Sequence, residues 1–255
     1  MSPTALSVVV PAFDESARLG DRLPPLLDAL PAGTEVIVVD DGSTDNTADL
    51  AEKILAPYPD ATVLRRPHGG KGAAVRAGIL EARGDAIAFM DADGATNIAA
   101  LHELLAALDH ADVAIGSRRQ PGASVRSGEP SRAAIAWVGN TLVRSMTRLP
   151  YRDTQCGFKA FRAPAARTLF SLSVANGFSF DVELLLLARK LGLQVTEIPV
   201  EWTSVPGSHV RPVADSIGVA LDVAQMAYRW RGPRAQRAAA QLATRAQTGN
   251  AGPTG

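Results

Sequence analysis

Uninterrupted apolar runs punctuate the first half of the chain, and each gives way to a polar, mostly acidic turn. Residues 6–10 end at Pro11, residues 35–39 at Asp40-Asp41-Gly42-Ser43, and residues 86–90 at Asp91-Ala92-Asp93-Gly94. Apolar runs without alternation mark strands covered on both faces, as in a parallel sheet. Helical spacing falls between them. Residues 21–30 predict a helix with Pro24 and Pro25 near its first turn. Residues 44–55 predict another, capped by Ser43 or Thr44, and residues 71–82 and 98–108 predict two more. Residues 61–64 and 112–115 read as further strands. The alternation implies right-handed β-α-β units and an α/β fold with a mostly parallel central sheet flanked by helices.

After Gly116 the pattern changes. Residues 119–131 are rich in Gly, Pro and Ser, long for a connection within a domain, and are expected to form a mobile lid. A helix is predicted over 132–148, a turn and short strand over 154–162, a strongly apolar helix over 181–191 ended by Gly192, and a strand over 195–200. A last helix over 213–230 carries Ile217, Leu221, Ala224 and Tyr228 at helical spacing. The Ala, Gln, Arg and Gly-rich tail, residues 231–255, has little to bury and is expected to be disordered. The whole reads as one domain over residues 1–230.

Composition narrows the function classes. Acidic and basic residues number 26 each, so the general basic footprint of a nucleic-acid binder is absent. Hydrophobic residues make up 46% and the mean hydropathy is +0.04, values of a soluble globular protein. A single cysteine, Cys156, excludes an internal disulfide and fits a reducing cytoplasm. No signal-peptide pattern or membrane-span-length apolar run is present, so any membrane contact is expected to be peripheral.

In open parallel sheets ligands lie beyond the carboxyl ends of the strands. The loops 11–15, 40–43 and 91–94 all fall on that edge. Asp91 and Asp93, at i and i+2, would point the same way from an extended segment. Two such carboxylates suit Mg²⁺ or Mn²⁺, with substrate phosphates completing the shell; the alternative is a plain turn at Asp93-Gly94. Pro11, Ala12, Phe13 and Glu15 offer backbone and carboxylate to a base or ribose. Adjacent Asp40 and Asp41 need compensation, from a ligand donor or from the following helix N-terminus.

Residues 68–72 resemble a phosphate loop, with Lys71 at a helix start and Arg76 one turn later, but lack the Walker A spacing. Arg118 and Arg132 add guanidinium forks suited to phosphate. Within 153–159, Cys156 lacks a histidine partner that would make it a nucleophile. Asp181 is a helix cap or a sugar-orienting carboxylate, and His209 and Arg211 are candidates to close over a diphosphate.

These segments resemble the inverting glycosyltransferase family 2, with its GT-A nucleotide-sugar fold. The matches at 8–15, 36–47, 69–78 and 89–96 are general to the family. MDADGAT, DTQCGFK and FSFDVELL are similar to the polyprenyl-phosphate members, dolichyl-phosphate β-glucosyltransferases more than mannosyl enzymes. The resemblance implies a nucleotide-binding part over 5–116 and an acceptor-binding part over 117–212. It implies that Pro11, Glu15, Asp40 and Asp41 hold the nucleotide, Asp91 and Asp93 the metal and diphosphate, and Arg118 and Arg132 the acceptor phosphate.

The expected reaction takes glucose from UDP-glucose to a polyprenyl phosphate with inversion. A phosphate acceptor is already anionic and needs no strong base; a sugar hydroxyl would need one, and Asp153 or Asp181 would be first candidates. Another donor such as GDP-mannose, a soluble acceptor, a nucleotidyltransferase and a non-catalytic nucleotide-sugar-binding protein are the alternatives. The last helix, whose end bears Arg229 and Arg231, either packs on the rest of the domain with a solvated basic tail, the reading preferred, or rests on anionic lipid in peripheral contact with the cytoplasmic membrane face.

Overall fold

The computed structural model describes residues 5–126 and 130–205, with the side chains of 130–136 set aside, and residues 222, 223, 225 and 226. Seven strands form one sheet: β1 (Leu6–Ala12), β2 (Glu35–Asp40), β3 (Ala61–Arg65), β4 (Ala86–Met90), β5 (Val113–Ser117), β7 (Phe158–Arg162) and β8 (Val195–Pro199), in the order β3-β2-β1-β4-β7-β5-β8. All are parallel except β7, which runs antiparallel between β4 and β5. That insertion puts the start of β7 beside the end of β4, with Met90 opposite Phe158. Because β7 and β8 come from the second half of the chain, the two halves share a single sheet.

Both faces of the sheet are buried, as the unbroken apolar runs require. On one side Val9, Ile37, Val39, Ile87 and Phe89 pack against α3 (Lys71–Glu81), α6 (Ala163–Leu172) and α7 (Phe180–Leu191). On the other, Val8, Val10, Val36, Val38 and Met90 meet α1 (Ser16–Ala29), α2 (Thr47–Leu55) and α4 (Ala100–Ala107). Phe89, Phe161, Phe170 and Phe180 form a chain of ring contacts with centroids 5.6 to 6.2 Å apart, in the separation range of favourable aromatic pairs.

The structure corrects several expectations. α1 begins at Ser16, so Pro24 and Pro25 lie inside it rather than near its start. Each proline lacks a helix donor, yet Leu19, Leu23, Leu26 and Leu27 are buried at i, i+4, i+7 and i+8, and that stripe holds the helix together. α2 begins at Thr47, so neither Ser43 nor Thr44 caps it. Their groups join the β1 loop instead: Ser43 Oγ accepts from Asp14 N–H at 3.0 Å, and Thr44 N–H donates to Asp14 Oδ1 at 2.7 Å.

The expected lid contains a short strand, β6 (Ser124–Arg126), paired with β9 (Glu201–Thr203); residues 127–129 lie outside the described residues. Neither β9 nor α6 is anticipated from the sequence. α5 (Pro130–Thr147) is close to its expected span. Of the expected helix over 213–230, the described residues are helical, and Val223 and Met226 are buried in the core. The tail lies outside the described residues.

Candidate active site

The β1 and β2 loops interlock at the carboxyl edge. Besides the Asp14 contacts, Glu15 N–H donates to Thr47 Oγ1 at 2.8 Å, and the Glu15 carboxylate grips Arg18 at 2.6 and 2.8 Å. Asp14 takes up φ of 49°, a left-handed conformation that Asp tolerates better than most residues. Asp40 and Asp41, adjacent in sequence, meet different fates. Asp41 is 2% exposed; its carboxylate accepts from Gly70 N–H at 2.7 Å and Gly69 N–H at 3.2 Å, and pairs with Arg66 and His68. It fastens the 66–70 loop. Asp40 Oδ2 accepts from Ser43 N–H at 3.3 Å, while its Oδ1 is buried with no hydrogen-bond partner among the described residues. A buried acceptor left open is costly unless a donor arrives. The Phe13 ring lies tilted against His68, with centroids 4.3 Å apart, beside this loop.

The Asp91-Ala92-Asp93 segment departs from the extended geometry expected. β4 stops at Met90, residues 92 and 93 form a turn, and Gly94 is left-handed at φ 66°. The two carboxylates therefore do not project as neighbours on a strand, yet they still sense each other. Burial, then repulsion from Asp91, raises the Asp93 carboxyl above its ordinary value, against Ala95 N–H, Lys71 and Arg18. Ala95 N–H donates to Asp93 Oδ1 at 2.9 Å.

Lys71 Nζ lies 2.6 Å from Asp91 Oδ1. The contact is an ion pair, and among the described residues no hydrogen bond of good geometry reaches Asp91 Oδ1. Burial presses the Lys71 ammonium down, but Asp91, Asp181 and Asp93 outweigh it and the net shift is upward. Close backbone approach shapes the pocket: a Cβ on Gly157 would collide with the Asp91 carboxylate, and one on Gly72 would meet Ala175 O at 2.6 Å.

On the other flank Arg118 and Asp153 form a two-pronged pair, Nε to Oδ2 at 2.7 Å and Nη2 to Oδ1 at 3.0 Å, with Arg118 N–H also donating to Oδ2. Burial alone would raise the Asp153 carboxyl, but Arg118 outweighs it and holds it at about 2. Arg118 is shifted up, against its burial, by Asp153 first and also by Asp91. It sits 5.8 Å from the Trp202 ring centroid, and β9, which carries Trp202, also pins the acidic turn through Thr203 N–H to Ala95 O at 2.8 Å.

Beneath these groups lies a pair that the sequence analysis missed as a site feature. Lys159 is fully buried, its Nζ 2.5 Å from Asp181 Oδ1 and 2.6 Å from Cys156 O. Burial raises the Asp181 carboxyl while Lys159 and then Lys71 pull it down. Asp181 is thus no helix cap; Ser179 occupies that position. Cys156 is buried and its thiol pushed up to about 11, mainly by burial, in keeping with an inert side chain.

Arg76 turns away from the cluster, donating to Asn176 Oδ1 at 2.7 Å and Ser173 O at 3.3 Å. The side chain of Arg132 and all of His209 and Arg211 lie outside the described residues.

A divalent cation fits the donor set at Asp91 and Asp93. Two hard carboxylates, one of them also paired with a lysine ammonium, are oxygen donors of the kind Mg²⁺ or Mn²⁺ takes alongside substrate phosphates. Among the described residues no cluster of three or more ligating side chains exists.

The mostly parallel sheet with one antiparallel strand, carrying acidic loops and a lysine at its carboxyl edge, matches the GT-A fold of solved sugar transferases. The family model described as glycosyl transferase family 2 matches residues 7–170, and the chain belongs to that family. It is 36% identical over 239 residues to a dolichyl-phosphate β-glucosyltransferase of Trichomonas vaginalis, covering 88% of this chain and 71% of that protein. It is 34% identical over 236 residues to an undecaprenyl-phosphate mannosyltransferase of Micrococcus luteus, covering 89% and 97%. Among solved structures it is similar to glucosyl-3-phosphoglycerate synthase from Mycobacterium tuberculosis in complex with Mn²⁺, UDP and glucosyl-3-phosphoglycerate. The TM-score is 0.65 at 20% identity, with 88% of this chain and 79% of that one covered. Membership in the family favours sugar transfer over the nucleotidyltransferase alternative.

Proposed function

We propose that this protein transfers glucose from UDP-glucose to a polyprenyl phosphate with inversion at the anomeric carbon. The observation that carries the reading is the juxtaposition of two half-sites. Asp91 follows β4 and Arg118 follows β5, on either side of the start of β7, so the donor-side carboxylate and the guanidinium suited to an incoming phosphate stand at the same edge of the sheet.

In this reading the open Asp40 Oδ1 accepts from the base or ribose of the nucleotide, with Pro11, Ala12, Phe13 and Glu15 around it. Asp41 acts through the 66–70 loop, which sets Lys71 at its helix start. A divalent ion held by Asp91 and Asp93 would neutralise charge on the leaving diphosphate. Lys71 adds a fixed positive charge on the same side, and Arg118 with Arg132 orients the acceptor for in-line attack. Asp153, held ionised at about 2 by Arg118, is a poor base at neutral pH and serves to aim that guanidinium. No base is needed, because a phosphate monoester with a second pKa of about 6 arrives as an anion.

A second reading keeps the acceptor and changes the donor to GDP-mannose. The mannosyltransferase of Micrococcus luteus supports it, since the alignment covers 97% of that protein. A panel of UDP-glucose, UDP-galactose, UDP-N-acetylglucosamine and GDP-mannose with Mg²⁺ or Mn²⁺ and a polyprenyl phosphate separates the two. Labelled lipid from UDP-glucose supports the first reading and labelled lipid from GDP-mannose the second. Product formed only on a soluble acceptor overturns both.

A further inference from the structure

The start of α3 has the look of a phosphate cradle, yet its backbone donors are spent inside the protein. Gly69 and Gly70 N–H go to the Asp41 carboxylate. Gly72 N–H donates to Asn176 O at 2.7 Å, and Ala73 N–H shares the same oxygen at 3.3 Å. The connection between α6 and α7, residues 173–179, therefore caps α3 and satisfies donors that a helix start leaves open. It sits close: a Cβ on Gly70 would stand 2.6 Å from Asn176 O. What remains for a ligand is the Lys71 side chain, whose Nζ lies 2.6 Å from Asp91 Oδ1 and 5.9 Å from the Phe178 ring centroid.

Two side chains on opposite sides hold that connection. Glu183, sealed from solvent in the first turn of α7, gathers three donors on Oε2: Ser173 Oγ at 2.7 Å, Val174 N–H at 2.9 Å and Ala175 N–H at 2.8 Å. A carboxyl group buried so deeply needs such partners, and the backbone that supplies them is fixed in return. From α3 itself, Arg76 donates to Asn176 Oδ1 at 2.7 Å and to Ser173 O at 3.3 Å. Arg76 is thereby spent on the same residue whose carbonyl caps its helix.

We propose that Glu183 and Arg76 are positioning residues for sugar transfer: by clamping residues 173–176 on the start of α3, they fix the Lys71 ammonium on the diphosphate side. A lysine stem is flexible, and a charge that must meet both Asp91 and a phosphate loses effect when its backbone shifts. Each residue acts through Asn176 and Lys71 rather than by contact with the donor. This role rests on the nucleoside-diphosphate donor proposed above, and nucleotide binding without any acceptor separates its failure from the failure of that reading.

The test is calorimetric titration of the full chain, with Mn²⁺, by UDP and UMP and by GDP and GMP. Wild type should bind one diphosphate more tightly than its monophosphate, and Lys71→Met should erase much of that preference. Arg76→Met and Glu183→Leu should each weaken the diphosphate about tenfold, part of what a hydrogen bond to a charged group is worth, and leave the monophosphate unchanged. Glu183→Gln, which keeps an acceptor oxygen, should restore most of the affinity lost in Glu183→Leu. In a Lys71→Met background Arg76→Met should add nothing. Arg76 is only half-buried, so Arg76→Met carries the test if Glu183→Leu does not fold. Equal weakening of diphosphate and monophosphate, losses additive with Lys71→Met, or a diphosphate preference that survives Lys71→Met overturns the proposal and leaves the donor reading standing. Wild type that binds neither diphosphate overturns the donor reading, and this role with it.

Discussion

Lys159 Nζ and Asp181 Oδ1 lie 2.5 Å apart, both side chains sealed from solvent beneath the acidic turn and Lys71. The pair bridges β7 to the start of α7 and joins Cys156 O to the same ammonium. Its carboxylate also acts on Lys71, so the buried pair and the half-buried Lys71–Asp91 pair form a single alternating arrangement of charge.

Removing one partner should therefore be far worse than removing both. Lys159→Met leaves a buried carboxylate without its counter-charge and is expected to cost about 3–5 kcal/mol, whereas Lys159→Met with Asp181→Leu should recover much of that loss. A double-mutant cycle by denaturant unfolding measures the coupling. Additive effects would show that the two side chains are independent.

Asp153 should leave its mark on acid stability. Its folded value of about 2 lies below the ordinary 3.8, so it contributes stability above about pH 4 that is lost as pH falls through about 2. The contribution is about 2 kcal/mol. Asp45, also held at about 2 but at the surface, titrates in the same range, so the informative quantity is the difference between wild type and Asp153→Asn. That difference should shrink steadily as pH is lowered from 4 to 2 if the Arg118 pair is responsible.

Gly157→Ala places a methyl group against the Asp91 carboxylate. Overpacking of this sort costs about 1–3 kcal/mol. Because the group displaced is Asp91, sugar transfer should fall more steeply than the melting temperature suggests. Equal losses in Gly157→Ala and in a substitution remote from the site would show that Asp91 is not the sensitive partner.

Much of the frame is legible in the sequence for a physical reason. Short apolar runs such as 86–90, bounded by turn residues and alternating with helical segments, read as doubly covered strands, and that places their loops on a shared carboxyl edge. Details that depend on distant partners are not legible. The pair Asp40-Asp41 reads as two equivalent acids, yet one is consumed by the amides of residues 69 and 70, whose approach is a tertiary event. Lys159 in Phe-Lys-Ala-Phe-Arg gives no local sign of burial; only the insertion of β7 between β4 and β5 seals it. Arg76 follows Lys71 by little more than a turn, but loop 173–176 captures it. The prolines of α1 mislead because a local cost is overridden by the leucine stripe.

The most direct test of the central claim is labelled sugar transfer from UDP-glucose to a polyprenyl phosphate with Mg²⁺ or Mn²⁺, comparing wild type with Asp91→Asn. Wild type should form labelled lipid and release free UDP in equal amounts. Asp91→Asn, with its fold retained by circular dichroism, should fall by about a hundredfold or more, in line with loss of a preorganised electrostatic contact to the reacting groups. Undiminished transfer by Asp91→Asn, or release of pyrophosphate in place of UDP, would contradict the account.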